Sequence, residues 1–528
     1  MPSRQYIGAR YVPKFYSNSV DGSTQWENNV VYEPLTYVTL QNGHMYISKK
    51  QVPATVGTPA SNVEYWLDLG SYNGFIDDLQ NQIDIINDTT IPNVESEITA
   101  LTKKTGNVVT PQMYGAVGDG STDDTQAFID ALADCEGLLY IPAGTYKITE
   151  SITIPDFVKI IGDSTYLTIL KFVGCNGFVC SPQWGAQFEC LTLSSVESGS
   201  YANAYKGITF NGSGVAPLAV NRCQVSDVAF FGWKVAIDLR YTRDCVIDNV
   251  RTQLGDIGIQ LFGQSVNISI NNSSLMCEQN NETPLDSHGS ASIQIIDDNG
   301  TRGEGLMISN TLMARGTYGI YCTDFLSLNV VNNIIDLVSN IGIYSGAKYS
   351  TYADNWISST GACMQIPQIG AGYNKIANNT FVNAGTDKCL KGAYLEQTII
   401  DGNTFEANDT SITLGGTSQD VLVLNNIFKQ TVLSASTIYA NNTSNCKFIG
   451  NKSNTTGYVV QYASNERNIT LLNSDRCVID NYSDKPTSGT WNLGDVVIFN
   501  NVTTGYIGAI CTVSGTPGTW KYFGALET

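Results

Sequence analysis

The sequence predicts an all-β chain whose body is a parallel β-helix, and three observations carry that prediction. A segment centred on asparagine keeps returning: 247-IDNV, 270-INNS, 308-ISNT, 331-VNNI, 353-ADNW, 377-ANNT, 401-DGNT, 424-LNNI and 449-IGNK. Its residues Asn249, Asn272, Asn310, Asn333, Asn355, Asn379, Asn403, Asn426 and Asn451 are 23, 38, 23, 22, 24, 24, 23 and 25 apart, so all steps but one fall in a narrow band. Between them a second marker recurs, in 256-DIGIQLF, 291-ASIQIID, 317-TYGIYCT, 340-NIGIYSG and 410-TSITLGG, each a short alternating strand after a small or polar residue. The long 3.6-period apolar runs that a helical solenoid needs are missing from this stretch. Each period therefore holds about three short strands and three turns, and stacks on the next at roughly 4.8 Å. Ten or more such coils make a rod on the order of 50–60 Å long.

The recurrence 376-IANNTF, 399-IIDGNTF, 422-LVLNNIF predicts scaffold, with no chemistry of its own. Asparagine suits a bend because it tolerates left-handed geometry, and its carboxamide can bond to the asparagine of the next coil. The Phe or Ile that follows is expected to point inward and stack on its equivalents.

Composition narrows the partners. Only 15% of the 528 residues are charged, and the formal net charge is −19. Nucleic acid is excluded, because binding it needs clustered Lys and Arg. Strongly anionic glycans are disfavoured and neutral sugars are not, although an acidic surface also serves solubility alone. The 13 cysteines are scattered singly, with no C-x-x-C, so no zinc site, other metal or cofactor is expected. Cys223 and Cys245 lie one period apart and are expected to stack as small core residues. Their odd number and dispersion suit folding in a reducing cytoplasm. The opening MPSRQYIGARY has no apolar signal region, and no run is long enough to insert in a membrane.

Four segments follow along the chain. Residues 1–72 are expected to form a small β module, marked by Trp26, Tyr32, Val38, Gly43, Tyr46, Pro53, Pro59 and Trp66. In 73–107 the apolar residues Ile76, Leu79, Ile83, Ile86 and then Val94, Ile98, Leu101 follow heptad steps, with Pro92 interrupting. Two short helices are expected there, in a three-stranded stem; a lone amphipathic linker helix is the alternative. The β-helix occupies 108–485. Its cap comes first: Gly118-Asp119-Gly120 turns the chain, and Thr122 caps a helix over about 123–134. Ala127, Phe128, Ala131 and Leu132 of that helix cover the open end of the first coil. Residues 486–528 repeat the aromatic β-module pattern with Trp491, Val496-Val497, Tyr506 and Trp520. In both modules most of these aromatics are expected to be the core of a very small domain.

The segment 114-YGAVGDGSTDDTQAF-128, followed by 141-IPAGTY-146, resembles the start of the pectate-lyase-like right-handed β-helix superfamily, and in particular the tail spikes and receptor-binding proteins of bacteriophages. The resemblance covers roughly 108–480. It implies a right-handed helix, a homotrimer, and Asp119, Asp123 and Asp124 as cap-building residues, with a calcium site as the alternative. The module at 1–72 is similar to the small chitin-binding-type modules of phage tail proteins, which implies attachment to other tail or baseplate proteins. The implied location is the virion, assembled in the host bacterial cytoplasm, and the implied partner is a bacterial cell-surface glycan.

Candidate chemistry lies where the period breaks. The 38-residue step contains two lengthened turns, near 277–289 and 297–304, and loops that leave a solenoid commonly form its binding face. They carry Glu278, Glu282, Asp286, His288, Asp297, Asp298, Arg302 and Glu304. Asp297, Asp298, Glu278 and Glu304 are the candidate catalytic residues, since a glycosidase needs two carboxylates across the scissile bond. His288, Arg302, Glu282 and Asp286 are the candidate glycan-binding residues. Asp297-Asp298 resembles the aspartate pair of polygalacturonase-type β-helices, but those have Gly-His-Gly downstream, and here His288-Gly289 precedes the pair. A lyase would need Arg302 as its base. The bland alternative is that polar turns carry carboxylates for solubility. A second candidate is a groove between subunits, using Glu396 with Glu406 or Asp324 with Asp336. The expected function is attachment to a surface glycan, with depolymerisation of that glycan as the alternative. A free polysaccharide-degrading enzyme is disfavoured by the stem and the missing signal region.

Overall fold

The computed structural model describes residues 13–527 apart from 18–21, 95, 98–107, 182–183, 196–204, 214–219, 278–288, 368–369, 384, 386, 434–435, 455–459, 463–469, 473–476, 479–482, 489–490, 492, 494–495 and 500–501. The chain divides into two compact units, Met1–Gly106 and Asn107–Thr528.

The second unit is a parallel β-helix. One coil serves for all. A first limb, Thr351–Ala353, meets a corner at Asp354-Asn355 and continues as a second limb, Trp356–Ser359. A third limb, Met364–Ile366, closes the turn. First and second limbs belong to one 29-stranded sheet folded at the asparagine corner, and third limbs stack in a 14-stranded sheet. Every neighbour is one coil away and parallel: Tyr352 pairs with Ile376, Ile376 with Ile400, and Ile400 with Val423. Alternation along each limb puts one set of side chains inside. There Ile343, Ile357, Phe381 and Ile400 are fully buried in a core that runs without a break from Val109 to Val460.

The corner uses asparagine in two ways at adjacent positions. Asn332, Asp354, Asn378 and Asn425 are left-handed, with φ between 52° and 58°. The next residue, Asn333, Asn355, Asn379, Asn403, Asn426 or Asn451, is buried. From Asn355 onward each buried carboxamide oxygen accepts from the asparagine of the coil before it, once from the backbone N–H and once from Nδ2, at 2.9–3.1 Å, and the Asn333 oxygen accepts from the Thr311 N–H at 3.0 Å. The same Nδ2 also donates to a main-chain carbonyl, as Asn355 does to Val330 at 2.9 Å. A buried amide is thereby satisfied, which is the condition for keeping it in an apolar core. The register corrects the alignment of the first three repeats. Asn249, Asn272 and Asn310 are left-handed and align with Asn332, whereas Val250, Ser273 and Thr311 occupy the ladder position. Both positions favour asparagine for different reasons, so counting asparagines slips by one where the ladder residue changes type.

The phenylalanines point inward as expected. Phe381, Phe405 and Phe428 stack with centroids 4.8 and 4.9 Å apart and ring planes within 10°. Ile427 and Ile334, directly after their asparagines, instead face outward and are about half exposed. Alternation requires this: one residue after the corner points out, the next in.

At the cap the helix is Thr125–Ala133, and Ala127, Phe128, Ala131 and Leu132 are its buried face. Phe128 meets Tyr146 edge-on at 5.4 Å. Thr122 is not the capping side chain. Its hydroxyl donates to Asp119, and the Asp123 carboxylate instead accepts from the Thr125 N–H at 3.0 Å and the Thr149 hydroxyl at 2.7 Å. Asp124 accepts from the N–H groups of Val117 and Gly118 at 2.6 and 3.2 Å, which pins the Gly-Asp-Gly loop. All three aspartates build structure. Cys223 and Cys245 are buried and form no disulfide. At the C-terminal end Val496–Ile498, Tyr506–Val513 and Thr519–Ala525 form an antiparallel sheet over Trp491, Phe499, Cys511 and Trp520.

In the first unit, four strands (Lys14–Phe15, Thr36–Thr39, His44–Ser48 and Trp66–Ser71) make one sheet over a core of Tyr32, Val38, Tyr46, Val52 and Trp66. The aromatics quoted from this module are largely that core. The helix that follows differs from expectation. Tyr72–Ile85 runs into a π-turn, Ile86–Thr90, and stays helical through residues 91–94. Proline lacks an N–H and its ring crowds the carbonyl four residues back; the π-turn just before Pro92 removes that conflict without ending the helix. Leu79, Ile83, Ile86 and Val94 are 40–50% exposed in the single chain. Among the described residues no helix is long and apolar enough to cross a membrane.

Candidate functional site

The irregular step is a single coil with two enlarged turns. Asn271 pairs with Ser309, so residues 272–310 add no extra layer. The second limb ends at Met276 and the third begins at Ala291, leaving 277–290 to the first turn; the second turn is 297–302. Glu278, Glu282, Asp286 and His288 lie outside the described residues.

The second turn is a miniature hairpin. Asp298 and Thr301 exchange backbone hydrogen bonds at 3.1 and 2.8 Å across Asn299-Gly300. Both central residues have positive φ (49° and 84°), the conformation that selects Asn-Gly. Asp297 is held from several sides: its carboxylate accepts from the Thr323 hydroxyl at 2.7 Å and the Gly300 N–H at 2.9 Å. Burial pushes that carboxyl up. The Thr323 hydroxyl, the Gly300 N–H, its own N–H and the Arg302 charge outweigh it, so the group sits below the ordinary aspartate value. Asp297 is thus a standing anion, suited to a base or to holding a donor and unsuited to a general acid. Asp298 accepts from the Tyr241 hydroxyl and from Asn299 Nδ2. Arg302 donates from Nη1 to both oxygens of Asp324, at 3.0 and 3.2 Å. Glu304 opens the next first limb, exposed. The turn therefore gathers Asp297, Asp298 and Arg302, with Glu304 two residues on.

The other four carboxylates do not share a face within one chain. Asp324 and Glu396 lie at the corner between third and first limbs. Asp336 and Glu406 lie on second limbs, Glu406 paired to Lys429 at 3.1 Å. Pairs drawn from both groups could meet only across two chains.

A cluster that sequence reasoning passed over leads into the same turn. Asp238, on the outward side of third limb Val235–Arg240, is fully buried, with Lys206 Nζ at 2.5 Å and Arg240 Nε at 2.8 Å from Oδ2, while Oδ1 has no hydrogen-bond partner among the described residues. Arg240 lies 4.9 Å over the Phe262 ring, Phe262 meets Tyr241 edge-on at 5.9 Å, and Tyr241 holds Asp298. The only advance signal was a carboxylate in a limb where the next coils carry Gln260 and Gln294. Two stacked tyrosines, Tyr349 and Tyr373, were also missed; in the sequence they sit in unremarkable turns.

Fold and site together define a capped parallel β-helix in which the altered coil at 272–310 exposes carboxylates and an arginine; the coil from Gln187 to Gln224, a step of 37 residues, is nearly as long. Residues 107–182, the cap and first coils, match the family model described as rhamnogalacturonase A/epimerase, pectate lyase-like. Among curated proteins, the chain is 43% identical over 68 residues to the pre-neck appendage protein of Bacillus phage B103, covering 12% of this chain and 8% of that one. It is 51% identical over 43 residues to the Aspergillus niger protein named Probable rhamnogalacturonase C, covering 8% and 9%. The chain thus spans less than a tenth of the length of these relatives. Among solved structures, tailspike protein 3 of bacteriophage CBA120 aligns with a TM-score of 0.49 at 15% identity, over 95% of this chain and 85% of that one.

Proposed function

We propose that this chain is a phage tail spike or tail appendage protein that attaches the virion to a bacterial cell-surface glycan. The observation that carries the reading is the altered coil, whose turn at 297–302 brings Asp297, Asp298 and Arg302 together with Glu304 two residues on. The similarity to a phage appendage protein supports the virion assignment, and the first unit is the part available to other tail or baseplate proteins. Assembly in the host cytoplasm agrees with the unbridged Cys223 and Cys245. A homotrimer is supported by two exposed apolar rows, Leu79, Ile83, Ile86 and Val94 on the helix, and Ile334, Leu337, Trp356 and Ile427 on the second limbs. Light scattering tests it: a monomer would end the trimer reading.

The test of attachment is a printed array of bacterial surface polysaccharides. The wild type should retain at least one of them, and Arg302→Ala with Glu304→Ala should release it. Cleavage of the glycan is the second reading, favoured by the ionised Asp297 beside Asp298. New reducing ends, or absorbance from unsaturated uronates, would reveal it. Cleavage that survives Asp297→Ala, Asp298→Ala and Glu278→Ala would remove these residues from the chemistry.

A further inference from the structure

We propose that Tyr349 and Tyr373 form a carbohydrate subsite beside the altered coil, taking a pyranose ring without an acidic group on the open face of Tyr349. The inference rests on the attachment reading and adds a place and a sugar class to it.

The corner between third and first limbs is left-handed in coil after coil, at Asp244, Asn267, Gly305, Ser327, Tyr349, Tyr373, Gln397, Asp420 and Asn445. Asp, Asn and Gly are the residues that this conformation favours, and an aromatic there is an outlier. Two consecutive coils nevertheless place tyrosine in it. Their backbones are pinned, the Tyr349 N–H to Gly372 O at 3.1 Å and the Tyr373 N–H to Glu396 O at 2.7 Å. Residues kept in a disfavoured conformation by their surroundings cluster at binding sites.

The rings are stacked, 4.8 Å apart and 23° from parallel, and both are exposed, Tyr349 at 59%. That separation equals the coil spacing, so the stack runs along the solenoid. The second face of Tyr349 is therefore turned toward the coil of Ser327, and beyond it that of Gly305. Small side chains at both positions leave a ledge over an aromatic floor, next in line to Glu304. Leu326, which pairs with Glu304, bridges to Lys348, so one row joins this ledge to the altered coil.

Aromatic faces take the C–H side of a pyranose, and polar groups around them fix the hydroxyls. Here those groups are Glu304, Lys348 and Glu396. Glu396 lies 3.5 Å from the Tyr373 hydroxyl and is braced by Gln419 at 3.3 Å. With Asp420 also at this corner, and Arg302 neutralised by Asp324, the field is acidic and works against a uronate or sialate.

The experiment uses the full-length protein on the polysaccharide array. Tyr349→Asn and Tyr373→Asn substitute the residue that Asn267 and Asn445 already supply at this corner, so melting should be unchanged. For glycans lacking acidic sugars, Tyr349→Asn should weaken binding by about tenfold, and Tyr349→Phe should stay within about twofold. Saturation transfer from tyrosine ring protons should reach the ring C–H protons of the captured sugar. A wild type that retains no polysaccharide overturns the attachment reading and this inference with it. A Tyr349→Asn protein that binds as the wild type does, or a wild type that prefers uronate-rich polysaccharides, overturns the subsite alone.

Discussion

Asn379 Oδ1 accepts two hydrogen bonds from Asn355, from the backbone N–H at 3.0 Å and from Nδ2 at 2.9 Å. Asn379→Ala strands both donors in a buried corner, and each unsatisfied group costs about 1–3 kcal/mol. The neighbouring Asn378 is exposed and left-handed, so Asn378→Gly should stay within about 0.5 kcal/mol. Stacked repeats can open locally. The check is therefore amide hydrogen exchange across 352–405, which should accelerate in the first variant and be unaltered in the second.

Phe405 packs between Phe381 and Phe428 with no exposed surface. Phe405→Ala removes both stacking partners at once and should cost about 3–5 kcal/mol. Thr404→Ala, one residue away on the outward side, should cost less than about 0.5 kcal/mol. Denaturant melts of the two variants would separate the inner ladder from the outer surface, and equal losses would contradict it.

The cap should weaken in acid. Hydrogen bonds from the Thr125 and Thr149 hydroxyls hold the Asp123 carboxyl below the ordinary aspartate value, against a smaller opposing effect of burial. Its folded pKa is therefore below its unfolded one, and the unfolded state takes up the proton first as pH falls. The stabilisation is complete above about pH 4 and is lost progressively below it. Exchange at the 125–133 amides, followed from pH 5 downward, should show this loss, and Asp123→Ala should abolish its pH dependence.

On the proposed trimer, Ile83→Asp places a charge in the exposed helix row and should lower the mass to that of a monomer while the β-sheet circular dichroism is retained. Light scattering on the purified variant reads the outcome directly. A variant that keeps a trimer's mass would move the proposed contact to the second-limb row of Ile334 and Trp356, and a monomeric wild type would end the trimer reading.

The scaffold was more legible than the site. A buried carboxamide that bonds its own kind reappears once per coil, so Asn333 to Asn451 announce the fold by spacing alone. Asn310 misled because left-handed backbone favours the same residue one place earlier, and the pairing of Thr311 with Asn333 becomes visible only in the sheet register. Thr122 is a competent cap by type, but the helix begins after Asp124, and it is Asp123 that accepts the Thr125 N–H. At the site, charge density in a charge-poor chain pointed to 297–304. It could not reveal that Asp297 is tied to Thr323, a residue from the following coil, or that Asp238 is linked to Asp298 through Arg240, Phe262 and Tyr241. Those relations depend on which residues meet one coil apart, and spacing does not encode them.

The ladder also gives the rod a mechanical grain. In an asparagine coil such as that of Asn355 the corner residue donates three hydrogen bonds to its neighbours, two to Asn379 and one to Val330, and accepts two from Asn333. On either side of the altered coil the clamps are hydroxyl residues: the Ser273 N–H reaches Thr311 Oγ1 at 3.4 Å, and each hydroxyl donates within its own limb. Tension along the axis would meet a stiff shaft from Asn333 to Asn451 and a compliant joint at Ser273–Thr311. Under single-molecule pulling, the first extension step should release the coils on the cap side of Thr311, and Thr311→Asn should raise the force at which it happens.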